Sequence, residues 1–195
     1  MERVERSKSL VARSDDELIL EVQGGDRRAY DLLVKRYQRR VYHLALRMAR
    51  DHDAADDLAQ ETFVKAYFAI GSFTIGRAFY TWLYRICMNL SINYLKSRKS
   101  VVPATWISDE SDPLDRTAGD PDPSDALISK ESVARIERAI ESLPPKHKAV
   151  LVLRVYEEMS YEDIAGTLEI SVGTVMSRLF RARQKLLERL GEHER

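Results

Sequence analysis

Residues 108–125 read SDESDPLDRTAGDPDPSD, and this stretch constrains the fold more than any other part of the chain. Seven acids (Asp109, Glu110, Asp112, Asp115, Asp120, Asp122, Asp125) face one base, Arg116, and three of the chain's six prolines lie here. Such a segment buries too little apolar surface to offset the entropy of ordering it. One continuous core cannot run through it. The 195 residues are therefore expected to form two small folded parts joined by a flexible acidic linker. A solvated spacer and a functional acidic segment both fit its composition.

On either side the pattern is helical, and no stretch reads as a convincing strand. Asp15-Asp16-Glu17 opens a short helix through Val22, stopped by Gly24-Gly25. Asp26 caps a long helix whose Tyr30, Leu33, Val34, Tyr37, Val41, Leu44, Leu46 and Met48 recur mostly at helical spacing. Asp53 is expected to open a third helix, ended by Gly71-Ser72. A loop, FTIGRA, leads to a fourth from about Phe79 to Lys96, with Trp82, Leu83, Ile86, Leu90 and Tyr94 on one side. Beyond the linker, Ser124 caps a helix through Leu143. Pro144-Pro145 breaks it, and Pro145 suits the first position of the next helix. Ser160 starts a short helix with a capping-box pattern, SYED, and Ser171 caps the last one. The expected class is all-α.

Several functions are excluded early. A single cysteine, Cys87, rules out a disulfide framework. Four scattered histidines offer little for a metal site, and no metal or cofactor is expected. No apolar run reaches the roughly 18–20 residues of a membrane span. MERVERSKSLVARS lacks an apolar signal core, so the expected location is cytoplasmic.

The formal net charge is zero, but the charge is unevenly spread. From Thr62 to Ser108 there is no Asp or Glu, while Lys65, Arg77, Arg85, Lys96, Arg98 and Lys99 are interleaved with ten of the sixteen aromatics. Cations on phosphates and rings on unpaired bases are what single-stranded nucleic acid needs. An aromatic helix core with a solvated basic face gives the same composition, and the two readings stand together here.

The segment SYEDIAGTLEISVGTVMSRLFRARQKL has the build of a helix-turn-helix. Ile164, Ala165 and Leu168 supply the inner face of its first helix, Ile170 fills the turn, and Val175 and Leu179 anchor the second. The second helix otherwise shows Thr174, Ser177, Arg178, Arg181 and Lys185. Arginine is the usual reader of guanine edges in the major groove.

In order, DDELILEVQGGDRRAYDLLVKRYQRRVY, DLAQETFVKAY, FYTWLYRICMNLSINYL, IESLPPKHKAVLVLRVYEEMSYEDIA and VGTVMSRLFRARQKL resemble the blocks of a bacterial extracytoplasmic-function (ECF) RNA polymerase sigma factor. The resemblance covers nearly the whole chain. It implies a non-enzymatic protein that binds core RNA polymerase and directs promoter-specific initiation under stress or envelope signals. Residues 1–100 would be a region 2-like domain that docks on the β′ clamp helices and opens the minus-ten element. Residues 101–125 would be the linker. Residues 126–195 would be a region 4-like domain that reads the minus-thirty-five element and sits on the β-flap. Partners would be double- and single-stranded promoter DNA and an anti-sigma factor, with no small-molecule substrate.

The resemblance places the main polymerase contact at Asp56, Asp57, Gln60, Glu61 and Phe63. The two aspartates also suit the positive end of a helix, so both roles fit them. It places minus-ten contacts at Phe73, Arg77, Phe79, Tyr80 and Asn89. Asn89 fits a base edge or a solvent-facing position, and Trp82 and Leu83 are expected mainly in the core. It places minus-thirty-five contacts at Thr174, Ser177, Arg178, Phe180, Arg181 and Lys185, where Phe180 either meets a thymine methyl or packs.

Two departures stand out. Relatives commonly carry Phe-Arg-Gly at the loop start, where this chain has Phe73-Thr74-Ile75 with Gly76-Arg77 later. They often carry Lys or Arg at Met176. The competing reading is a helix-turn-helix regulator that is no polymerase subunit. It explains the C-terminal half but not the acid-free aromatic stretch.

Overall fold

The computed structural model describes residues 13–101 and 133–191, the side chains of 99–101 excepted. The linker at 101–125, Trp106 and the Ser124 cap fall outside them, apart from the backbone of residue 101. Among the described residues the regular structure is helical throughout, with no strand. The elements are α1 (Asp15–Gln23), α2 (Arg27–Ala49), α3 (His52–Ala69) and α4 (Phe79–Val101), with a 3-10 turn at Ile70–Ser72, then α5 (133–141), α6 (Pro145–Val155), α7 (Tyr161–Leu168) and α8 (Val172–Gly191). The chain divides into two compact units, Met1–Ser91 and Ile92–Arg195. That division falls inside α4, ahead of the boundary expected at 100.

Caps set the helix starts. Ser14, not the acids after it, is the N-cap of α1, and it forms a complete capping box with Glu17. The Ser14 N–H donates to the Glu17 carboxylate at 2.7 Å, and the Glu17 N–H to the Ser14 hydroxyl at 3.2 Å. The Ser14 N–H and then the Ser14 hydroxyl, which donates to the same carboxylate at 3.1 Å, hold the Glu17 carboxyl below its ordinary pKa. Asp26 caps α2 as expected. The cap of α3 is Asp51, not Asp53, with its carboxylate accepting from the Ala54 N–H at 2.9 Å. Pro145 takes the first turn of α6.

In the first unit α2 is the central helix, burying Tyr30, Leu33, Tyr37, Val41, Leu44, Ala45 and Met48. Against it α3 turns Ala55, Leu58, Ala59, Thr62 and Ala66 inward. The one hydroxyl among them, Thr62, donates to the Leu58 carbonyl at 2.6 Å, so the burial leaves no orphan. The inner face of α4 differs from the expected one. Phe79, Leu83, Tyr84, Cys87, Met88 and Ser91 are buried, while Trp82, Ile86, Leu90 and Tyr94 are only half-buried. Only Leu83 is common to both sets, because the true face is rotated by about one residue.

In the second unit α6 is buried almost all round, from Lys148 to Leu153. Leu143, Leu151 and Ala182 form a core cluster, with Ile140 and Leu186 packed against it. Arg154 ties down the turn after α6: its guanidinium donates to the Met159 carbonyl at 2.8 Å and lies 5.3 Å from the Tyr161 ring.

Candidate partner and nucleic-acid surfaces

The inward set on α3 leaves a continuous outer face. Asp56, Asp57, Gln60 and Glu61 are all exposed on it. Phe63 lies at the flank of that face, in line with Asp56 and Gln60. It is half-buried, and its carbonyl accepts the Tyr30 hydroxyl at 2.5 Å. The apolar side chains that do reach solvent are Val64, 55% exposed, and Phe68, 82% exposed. Residues 57, 61, 64 and 68 follow one helical stripe, so the period of the sequence carried this signal. Glu61 pairs with Lys65 at 3.2 Å on the surface. At the helix start Tyr42 of α2 meets the His52 Nδ1 at 2.6 Å. Its phenol pKa is raised by partial burial and then by the charges of Asp56 and Asp53. The whole is an acidic rim around two exposed apolar groups, suited to a partner that is basic and apolar together.

The loop from 74 to 78 rises over an aromatic floor. Phe73 is 7% and Phe79 3% exposed, so neither ring is free to stack on a base. Their centroids lie 5.7 Å apart, Phe73 meets Trp82 at 5.3 Å, and Tyr37 of α2 meets Phe79 at 5.4 Å. These two phenylalanines anchor the loop's ends. Between them Thr74, Gly76, Arg77 and Ala78 are exposed, and Gly76 takes a left-handed φ of 85° that an L side chain resists. Gln23 of α1 donates to the carbonyls of Ile70 at 2.9 Å and Phe73 at 3.0 Å.

Arg77 is exposed, Tyr80 half-buried and Asn89 exposed. The structure does not gather them. Tyr80 and Asn89 are nine positions apart on α4, about half a turn out of phase, and so project from opposite sides. Trp82, Ile86, Asn89 and Asn93 share a stripe instead. Trp82, expected in the core, is half-buried at the edge of the floor and offers the ring on Asn89's face.

In the second unit the Asp163 N–H donates to the Ser160 hydroxyl at 3.0 Å. The return bond of a capping box is missing: the Asp163 carboxylate accepts from the Ser160 hydroxyl at 2.8 Å. Aspartate is one methylene shorter than the usual glutamate. After α7 the chain turns at Glu169, which is left-handed at φ 52°, and the Ile170 N–H donates to the Ala165 carbonyl at 3.0 Å. Ser171 then caps α8, accepting from the Thr174 N–H at 3.1 Å.

Val175, Leu179 and Ala182 of α8 are buried, and the rest of the helix looks outward. Ser177, Arg181 and Lys185 are exposed, with Arg178 half-buried beside them. Thr174 is half-buried and its hydroxyl is 2.8 Å from that of Ser171, so it serves the cap first. Phe180 is 61% and Met176 54% exposed, one turn apart on the adjoining flank. Phe180 therefore does not pack within its unit. His147 of α6 borders the basic patch. Its pKa is lowered by burial and then by Lys185, Arg178 and Arg181, and its Nδ1 is buried with no partner. Among the described residues no cluster of metal ligands occurs and no helix is long and apolar enough to cross a membrane.

Known proteins match these two units in order. The family described as "Sigma-70 region 2" matches residues 33–101, and "Sigma-70, region 4" matches 134–186. The RNA polymerase sigma-H factor of Pseudomonas aeruginosa is 41% identical over 181 residues, spanning 91% of this chain and 94% of the relative. The ECF RNA polymerase sigma-E factor of Escherichia coli K12 is 39% identical over 178 residues, spanning 89% and 92%. Among solved structures, CnrH in complex with the cytosolic domain of CnrY is similar at 26% identity and a TM-score of 0.65, covering 92% of this chain and 99% of that one. The sigma factor RpoE of Bartonella quintana, solved with the anti-sigma factor NepR, is similar at 25% identity and a TM-score of 0.62, covering 83% and 96%.

Proposed function

The chain belongs to the sigma-70 family, in its ECF group, and we propose from that premise how its surfaces divide the work of a sigma factor that directs promoter-specific transcription. Residues 1–100 dock on core RNA polymerase and open the minus-ten element. Residues 101–125 link them to residues 126–195, which read the minus-thirty-five element. The observation that carries this reading is the outer face of α3, where Val64 and Phe68 stand exposed among Asp56, Asp57, Gln60 and Glu61. A helix-turn-helix regulator working alone has no use for it.

The α3 face takes the β′ clamp helices. The loop with Arg77, and the Trp82–Asn89 face of α4, take the single non-template strand. Ser177, Arg178, Arg181 and Lys185 take duplex DNA, and Met176 and Phe180 lie where a thymine methyl would pass. Because CnrH and RpoE were each solved with a bound protein, an anti-sigma factor is the expected regulator. The protein works in the cytoplasm and catalyses no reaction of its own. The test is capture of core RNA polymerase by the full chain, repeated with Phe68→Ala. Capture that the substitution abolishes supports the assignment. No capture by the wild type contradicts it.

A further inference from the structure

The loop at 74–78 is tied to α1, a helix that carries none of the surfaces assigned above. Gln23, the last residue of α1, is exposed, but its carboxamide makes two part-buried hydrogen bonds to the chain just before the loop. Its single carboxamide nitrogen has two hydrogens. One goes to the Ile70 carbonyl at 2.9 Å and the other to the Phe73 carbonyl at 3.0 Å. Those carbonyls bracket the 3-10 turn at Ile70–Ser72, and Phe73 is the last residue before the exposed loop. The Ile70 carbonyl already accepts the Phe73 N–H at 3.0 Å, and the Gln23 side chain, nearly fifty positions away, adds a second bond there and one at Phe73. Asp16, also on α1, approaches the Gly76 N–H at 3.4 Å near the loop's crest.

α1 is itself fixed to the core of its unit. Asp15 accepts from both Arg36 and Tyr37 of α2, and the Tyr37 ring packs on Phe79 at the loop's other end. The loop is thus held at its start by Gln23 and at its end by the Tyr37–Phe79 contact.

We infer that Gln23 is a positioning residue for minus-ten recognition: it fixes the loop before DNA arrives, so the bases of the non-template strand meet a preformed surface. This rests on the minus-ten role proposed above. Binding to a preformed loop avoids ordering it on contact, and that advantage goes to the base that fits the fixed shape. Loss of the clamp should therefore lower discrimination between bases more than it lowers attraction to the strand.

Two variants of near-equal size probe it. Gln23→Glu sets carboxylate oxygens against the two carbonyls, and Gln23→Met removes both side-chain bonds, leaving the Ile70 carbonyl with the Phe73 N–H at 3.0 Å. The full chain, assembled with core polymerase, is titrated with a fluorescent non-template-strand oligonucleotide from a promoter that the wild type transcribes, and with a scrambled one. We expect the ratio of the two affinities to fall about tenfold in both variants, the scale of two lost hydrogen bonds. Affinity for core polymerase and for the minus-thirty-five duplex should stay unchanged. A preserved ratio in Gln23→Glu would overturn the inference. So would an equal loss of all three affinities with a lowered melting temperature, which would make Gln23 purely structural. A wild type that does not distinguish the two oligonucleotides would instead sink the minus-ten reading beneath it.

Discussion

The Tyr30 hydroxyl donates to the Phe63 carbonyl at 2.5 Å, joining α2 to α3 directly beneath the acidic face. Burial raises the Tyr30 pKa, so it stays a donor through the physiological range. The Phe63 ring is half-buried beside this bond, while Phe68, five residues on, is 82% exposed and open to a partner.

The two rings should therefore fail differently. Phe68→Ala should leave the melting temperature unchanged and weaken polymerase binding by about 2 kcal/mol, the usual scale of an aromatic anchor. Phe63→Ala should destabilise the first unit by about 1–3 kcal/mol. Thermal melts and polymerase titrations, run in parallel, separate them. Equal melting losses in both would remove Phe68 from the interface.

His147 makes the second unit sensitive to acid. Its pKa is lowered from the ordinary 6.5 by burial first, and then by Lys185, Arg178 and Arg181. The folded unit thus binds the proton less well than the unfolded chain. Stability rises with pH between the two pKa values and is lost as pH falls through about 6.5 and below. Melts at about pH 7.5 and pH 5.5 should show a smaller drop for His147→Leu than for the wild type. An identical drop in both would clear His147 of the effect.

Glu169 holds a left-handed conformation between α7 and α8 with φ at 52°. That backbone costs an L residue about 1–2 kcal/mol, while glycine's extra unfolded freedom takes back about 0.5–1. Glu169→Gly should release about 0.5–1 kcal/mol of this backbone strain, set against the interaction Glu169 makes, without changing DNA affinity. A loss of stability on calorimetry would show that the glutamate side chain has a structural task.

On α8, base reading and phosphate anchoring predict different behaviour. Arg181→Ala should change which minus-thirty-five sequences are used, by about 1–3 kcal/mol at one position. Arg183→Ala and Lys185→Ala should weaken all sequences alike and reduce the salt slope by about one. Transcription from single-base promoter variants measures both. A uniform loss with Arg181→Ala would make it a phosphate anchor.

The helices, the order of the two units and the basic face of α8 were legible in the sequence, because period and caps are local. What sequence leaves open is where tertiary packing decides. Phe73 and Phe79 lie in a basic, aromatic, acid-free run, and such a run has one composition whether its rings face a base or a core. Tyr37, on a different helix, closes over Phe79 and settles it. Phe63 follows Asp56 and Gln60 at helical spacing, but the exposed ring of α3 is Phe68, in line with Asp57, Glu61 and Val64. The Gln23 clamp had no sequence signal at all, since it depends on how α1 lies against a turn formed much later in the chain.

The most direct test of the account is run-off transcription by core RNA polymerase on a randomised promoter library, with and without this protein. The account predicts that the protein directs initiation to a subset of templates sharing both a minus-thirty-five and a minus-ten element. Phe68→Ala should reduce output from all of them, and Arg181→Ala should change the selected minus-thirty-five bases. Duplex binding by the protein with no promoter-selected transcript would contradict it, leaving a helix-turn-helix regulator in its place.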